Sequence, residues 1–200
     1  MKKLLTLLLA FLLSLSLFGC SEVVDILGDV DWDEVANAIE QAQTSQGNTD
    51  NSGSNEDDPR CVDLKRRLWD AMEAAYEEGY RHFICGMAQG CDFYFCELAL
   101  ELRKKYGDVT VEAAIPCPSQ AERWSAAAKR RWQRLVDLCD YETMVQNHYS
   151  TACMQRRNRY MVDHATLLIA AHDGQSGGTR STIEYALMRG LNTVILPIES

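Results

Sequence analysis

The stretch Leu167-Leu-Ile-Ala-Ala-His-Asp-Gly-Gln-Ser-Gly-Gly-Thr-Arg-Ser-Thr-Ile-Glu184 decides the fold. Leu167 to Ala171 is a short apolar run, the length of a strand buried on both faces. A turn follows through Asp173, Gly174, Gln175, Ser176, Gly177, Gly178 and Thr179, and a helical pattern then runs through Ile183, Ala186 and Leu187. A turn from a buried parallel strand into a helix presents unpaired N–H groups at the positive end of the helix dipole. That favours phosphate or another anion. The paired glycines let a backbone approach a ligand, and Thr179, Ser181 and Thr182 supply hydroxyls for capping or for phosphate. By itself the stretch fits a tight, ligand-free turn equally well.

The same alternation extends upstream. Leu64, Leu68, Met72 and Tyr76 recur every four residues before Gly79, which predicts a helix from about Cys61. His82 to Cys85 reads as a strand, ending at Gly86-Met-Ala-Gln-Gly90-Cys-Asp92. A helix through Phe95, Leu98, Ala99 and Leu102 stops at Tyr106-Gly107. Thr110 to Ile115 is the next strand, closed by Pro116-Cys117-Pro118. A helix carrying Trp124, Trp132, Leu135 and Leu138 runs to about Cys139. Glu142 to Gln146 is a weaker strand and Met154 to Ala165 a helix. After the quoted stretch, a helix ends at Arg189 before Gly190, and Thr193 to Ile198 is the last strand. Strands alternating with such helices predict an α/β fold: a Rossmann-like parallel sheet with helices on both faces. Ligands of such sheets bind beyond the carboxyl ends of the strands, where both glycine turns fall.

The N-terminal part reads differently. Lys2 and Lys3 precede an apolar run from Leu4 to Phe18, and Leu17-Phe18-Gly19-Cys20 resembles a bacterial lipobox, although Phe18 is bulky for its place. Residues 1–20 are therefore expected to be a signal peptide cut before a lipid-bearing Cys20. The alternative is an uncut membrane helix, for which the run is short. Either way the remainder is expected on the extracytoplasmic face of a membrane. Residues 21–60 form an acidic tether, with eleven acidic residues against Arg60 alone. Val23 to Leu27 offers a short apolar run and 31–43 a short helix. Thr44 to Asp58 is a polar linker. The folded domain is expected over 61–200, where eighteen acidic residues nearly balance seventeen basic ones. No basic face for nucleic acid is expected, and Lys129, Arg130, Arg131 and Arg134 read as a solvated helix face. Beyond Cys20 lie seven cysteines with no C-x-x-C pair, the thiol content of a cytosolic domain rather than a disulfide framework. No ligand spacing supports a metal, and no cofactor is expected.

Taken together, Gly86-x-x-x-Gly90-x-Asp92, the series Met154 to Asp163 and Gly177-Gly178-Thr179 resemble the SLOG superfamily of Rossmann-like domains. That group includes the DNA-processing protein DprA (Smf), the lonely-guy cytokinin-activating enzymes and the YpsA-like proteins, and the YpsA-like branch is the nearest match. The resemblance covers about residues 60–198, including Gly86 to Phe95, Pro116 to Trp124, Arg157 to Asp163 and Gly177 to Ala186. It implies a pocket for a nucleotide or nucleotide-derived ligand. Gly86, Gly90, Gly177, Gly178, Thr179 and Thr182 would approach phosphate or ribose, with Asp92, Asn158 and Asp173 on polar edges. Gln120 would form another wall of the mouth. Trp124 fits that wall and plain helix packing equally well.

The resemblance also implies a chemistry. Lonely-guy enzymes share an R-K-x-x-M stretch and a P-G-G-x-G-T-x-x-E turn, and they cleave a base from a ribose monophosphate. Arg157 and Met161 fall on their arginine and methionine, Gly177 and Gly178 on their first glycines, and Glu184 on their glutamate. Arg180 replaces the third glycine, Ser181 the threonine and Ser176 the proline. A phosphoribohydrolase using Arg157 and Glu184 is thus the alternative to a ligand-binding or sensing domain. A degenerate interaction module is the third reading. YpsA-like chains usually begin with a central strand and a Phe-Thr-Gly-His-Arg stretch, and nothing here matches it. The sheet is accordingly expected to lack its first strand, to be completed by the segment after Cys20, or to be completed by another chain. Homo-oligomerisation stays open.

Overall fold

A computed structural model describes residues 56–198. The expected signal peptide, Cys20, Val23 to Leu27, segment 31–43 and most of the linker lie outside the described residues.

Helix α1 (Pro59–Glu77) starts where Asp58 accepts a hydrogen bond from the Arg60 N–H at 2.8 Å, with proline in the first turn where its missing N–H costs nothing. Strand β1 (His82–Cys85) leads to helix α2 (Cys91–Tyr106), which Gly107 ends in the left-handed conformation, φ 80°. Strand β2 (Thr110–Ile115) and helix α3 (Ala126–Leu138) follow. Ser125 caps α3 by accepting from the Ala128 N–H at 3.2 Å, so Trp124 stands before the helix rather than in it. Its ring packs edge-on against Phe93, 5.8 Å between centroids, which is the packing role. Strand β3 (Tyr141–Met144) begins slightly earlier than the pattern suggested, because Asp140 joins the edge of β2 by accepting from the Val111 N–H at 2.8 Å. Helix α4 (Cys153–Asp163), strand β4 (Leu167–His172), helix α5 (Gly178–Met188) and strand β5 (Asn192–Pro197) complete the order.

All described pairings are parallel. One sheet has the order β1-β2-β3 and a second pairs β4 with β5. Phe83 and Cys85 with Val111, Ala113 and Ile115 form the core beneath α1, α2 and α3. Leu64, Leu68 and Tyr94 continue it over Ile169, Ala171 and Leu196. The opposite face of β2 meets α4, where Tyr160 donates to Glu112. Helices therefore cover both faces, and period-two alternation along each strand assigns its side chains between them.

Among the described residues no strand joins β1 to β4. A cavity of about 620 Å³ runs between them, lined by His82, Phe83 and Ile84 on one side and Leu167 to Ala171 on the other. The described strands thus fall into two sheets, and Val23 to Leu27, the segment that could stand in for a first strand, lies outside the described residues.

Candidate functional site

The cavity extends to the carboxyl ends of β1 and β4, where Gly86, Ala88 and Gln89 of the loop 86–90 and Gly178, Thr179 and Thr182 of α5 line it. Three elements hold that loop. From α2, Asp92 Oδ2 accepts from the Ala88 N–H at 3.1 Å. From α4, Arg157 Nη1 donates to the Gly86 carbonyl and lies 3.1 Å from Asp92 Oδ2. From the proline loop, Gln120 Nε2 donates to the Met87 carbonyl at 2.9 Å. Met87, fully buried, adopts φ 61°, a conformation that a residue with a long side chain keeps only when its surroundings enforce it. Gly86 is required for space: a Cβ there would run into the Arg157 guanidinium and the Asp92 carboxylate.

Arg157 is the electrostatic centre. It is 4% exposed, and burial pushes its pKa down while Asp92 works against that shift. Its Nε is buried without a hydrogen-bond partner among the described residues, as is Gln120 Oε1. A buried guanidinium with one carboxylate and an unused donor is short of acceptors.

Across the cavity, α5 begins at Gly178 with Gly177 as its N-cap and no side-chain cap. Ser181 and Thr182 donate their hydroxyls back to the carbonyls of Gly177 and Gly178, at 3.2 and 2.8 Å, and so do not cap the first N–H groups. A Cβ on Gly178 would meet only Asn158 Nδ2, at 3.9 Å, so no protein neighbour requires glycine there. An uncapped helix start facing a cavity is a ready anion site.

The structure thus brings Gly86, Asp92, Arg157, Asn158, Gly178, Thr179 and Thr182 to the lining of one cavity. Gly90 and Gln120 shape the loop from outside the lining, and Gly177 caps α5. Asp173 accepts from the Gln175 N–H at 2.9 Å in the turn before α5, also outside the lining. Glu184 is exposed, pairs with Arg180 at 2.9 Å and does not line the cavity. Arg157 and Glu184 are therefore not brought together there. Arg131, expected on a solvated face, pairs with Glu97 at 2.7 Å and packs against Phe93 and Tyr94.

One polar group was missed. Glu112, 7% exposed within the apolar strand β2, accepts from Tyr160 at 2.7 Å and lies 2.9 Å from His82 Nε2. Burial opposes its charge, but hydrogen bonds from Tyr160, Thr143 and His82 outweigh burial and hold the carboxyl below its ordinary range. A lone carboxylate inside Thr110–Ile115 was the available signal, since a buried charge demands partners.

Against known proteins, the family model described as the YspA SLOG family (YpsA) matches residues 53–192. The uncharacterized SPbeta prophage-derived protein YoqJ of Bacillus subtilis is 32% identical over 142 residues, 64% of this chain and 82% of that protein. A UPF0398 protein of Bacillus licheniformis is 23% identical over 125 residues, 62% of this chain and 68% of its own length. Another from Ligilactobacillus salivarius is 22% identical over 137 residues, covering 68% and 74%.

Proposed function

The chain belongs to the YpsA SLOG family, and from that premise we propose that it is a lipid-anchored extracytoplasmic protein whose domain binds or senses a nucleotide-derived ligand. One observation carries the binding: an uncapped helix start and a buried, acceptor-poor Arg157 line one cavity of about 620 Å³. That volume lies within the usual range for small-molecule pockets. The phosphate would sit on the first turn of α5, with Asn158 on a polar edge of the ligand. Glu184, exposed and paired with Arg180, favours binding over base cleavage. The anchor rests on Leu17-Phe18-Gly19-Cys20. It is tested by fatty-acid labelling, which should vanish in Cys20→Ser.

The decisive experiment is thermal unfolding of residues 21–200 with AMP, ADP-ribose or NAD. A ligand at about one hundred times its Kd should add about 2.7 kcal/mol and raise the midpoint. A cooperative transition that none of these moves, even at millimolar concentration, would sink the reading. Release of free base in the same mixtures would instead establish the phosphoribohydrolase.

The edges of β1 and β4, unjoined among the described residues, favour a second reading, an interaction module. Its occupant would be an extended partner segment with apolar side chains on both faces, adding a strand between the two edges. Hydrogen exchange at β1 and β4 would slow on binding. Exchange unchanged in the partner's presence would rule this out.

A further inference from the structure

Four of the seven described cysteines stand in two sulfur–sulfur contacts that the sequence spacing hides. Cys117, in the proline loop after β2, lies 3.7 Å from Cys153, the first residue of α4 and 36 positions away. Cys96 in α2 lies 3.8 Å from Cys139, which closes α3, 43 positions away. We propose that these are two disulfide sites, Cys117–Cys153 and Cys96–Cys139, formed by exchange with a disulfide-class oxidant as the chain folds. All seven described cysteines are free thiols in the structure, as the sequence predicts, and these two contacts become bonds only on oxidation. An odd count with no C-x-x-C motif accommodates two long-range pairs and three thiols, Cys61, Cys85 and Cys91.

The exchange is balanced. One cysteine thiolate attacks the oxidant R–S–S–R, forming a mixed disulfide and releasing RS⁻. The second thiolate attacks that mixed disulfide, closing the protein S–S bond and releasing another RS⁻. The two protons lost by the cysteines end on the two RSH products. Within Cys85, Cys96 and Cys139 the order follows from access. Cys85 and Cys96 are fully buried, whereas Cys139 reaches solvent, so Cys139 meets the oxidant first and Cys96 resolves it. Cys117 and Cys153 are both buried, so their exchange precedes final closure of α4 onto the proline loop. The Cys96 contact, with burial behind it, pushes the Cys139 thiol up; at Cys96 the Cys139 contact pulls the thiol down, but the Cys85 contact and burial outweigh it, so both thiols attack slowly in the folded state.

To bond, the sulfurs must close from 3.8 and 3.7 Å to about 2.05 Å. The Cys117–Cys153 bond would tie together two of the elements that hold the 86–90 loop. The proline loop carries Gln120, and α4 carries Arg157 one turn after Cys153. Both bonds are at home in an oxidising compartment. They are independent of which ligand the cavity takes.

The test uses the full chain, reduced and unfolded, then refolded in a mixture of oxidised and reduced glutathione. Remaining thiols are alkylated, and the unreduced digest is mapped by mass spectrometry. Peptides joining Cys117 to Cys153 and Cys96 to Cys139 are expected, with four fewer titratable thiols than the reduced chain. The thermal midpoint should rise by roughly 10 °C. Cys153→Ser should lose only its own cross-link, and Cys139→Ser only the other. If refolding fails, protein purified from an oxidising compartment is mapped in the same way. Fully alkylated cysteines, or Cys85–Cys96 or Cys61–Cys91 as the main product, would overturn the proposal.

Discussion

Removing Asp92 should damage the fold more than removing Arg157, although the two form one pair. The Arg157 side chain is 5% exposed and that of Asp92 36% exposed. In Asp92→Ala the guanidinium keeps its charge, because arginine does not deprotonate in proteins. It loses its one carboxylate and keeps only the Gly86 carbonyl as a strong acceptor. Stranding a buried charge costs about 3–5 kcal/mol. The Ala88 N–H also loses its acceptor. In Arg157→Met the residual charge is Asp92, which water can reach. The losses are the bond to the Gly86 carbonyl and some packing, about 1–2 kcal/mol. The double variant removes both charges and should be more stable than Asp92→Ala alone. Urea unfolding, read as midpoint multiplied by slope, separates the three. Equal costs for the single variants, or a double variant worse than Asp92→Ala, would refute the reasoning that burial of Arg157 sets the cost.

Glu112→Gln tests the buried cluster through pH. The folded carboxyl titrates below its unfolded value, so its contribution is complete above the unfolded pKa and fades as pH falls through the folded one. Wild-type stability should decline between about pH 5 and 3 by more than that of Glu112→Gln; parallel declines would remove Glu112 from the account. Gly178→Ala should leave stability unchanged or slightly higher, since a Cβ meets only Asn158 at 3.9 Å, and should shrink the nucleotide-induced rise in midpoint. A full rise would move the phosphate away from α5. Glu184→Gln removes an exposed pair and should change stability by less than about 0.5 kcal/mol. It should also leave ligand binding intact, whereas loss of base release in this variant would restore Glu184 to catalysis.

The sequence by itself determined the order of strands and helices, the two glycine turns and the family. Each of these is written in local periodicity or short motifs. Thr110–Ile115 and the stops at Gly79, Gly107 and Gly190 were legible because a buried strand or a helix end constrains only its own neighbourhood. Tertiary structure decided what those motifs do. It set Arg157 against Asp92, 65 positions away, and Gln120 against the Met87 carbonyl, 33 positions away. It left Glu184, which a motif alignment placed beside Arg157, in a surface pair with Arg180. It brought together cysteines that no spacing rule would pair and, among the described residues, left β1 and β4 unjoined. The reason is that burial is a property of the packed molecule. Whether a charge is stranded, a thiol has a neighbour or a strand edge has a partner depends on segments brought together only when the chain closes.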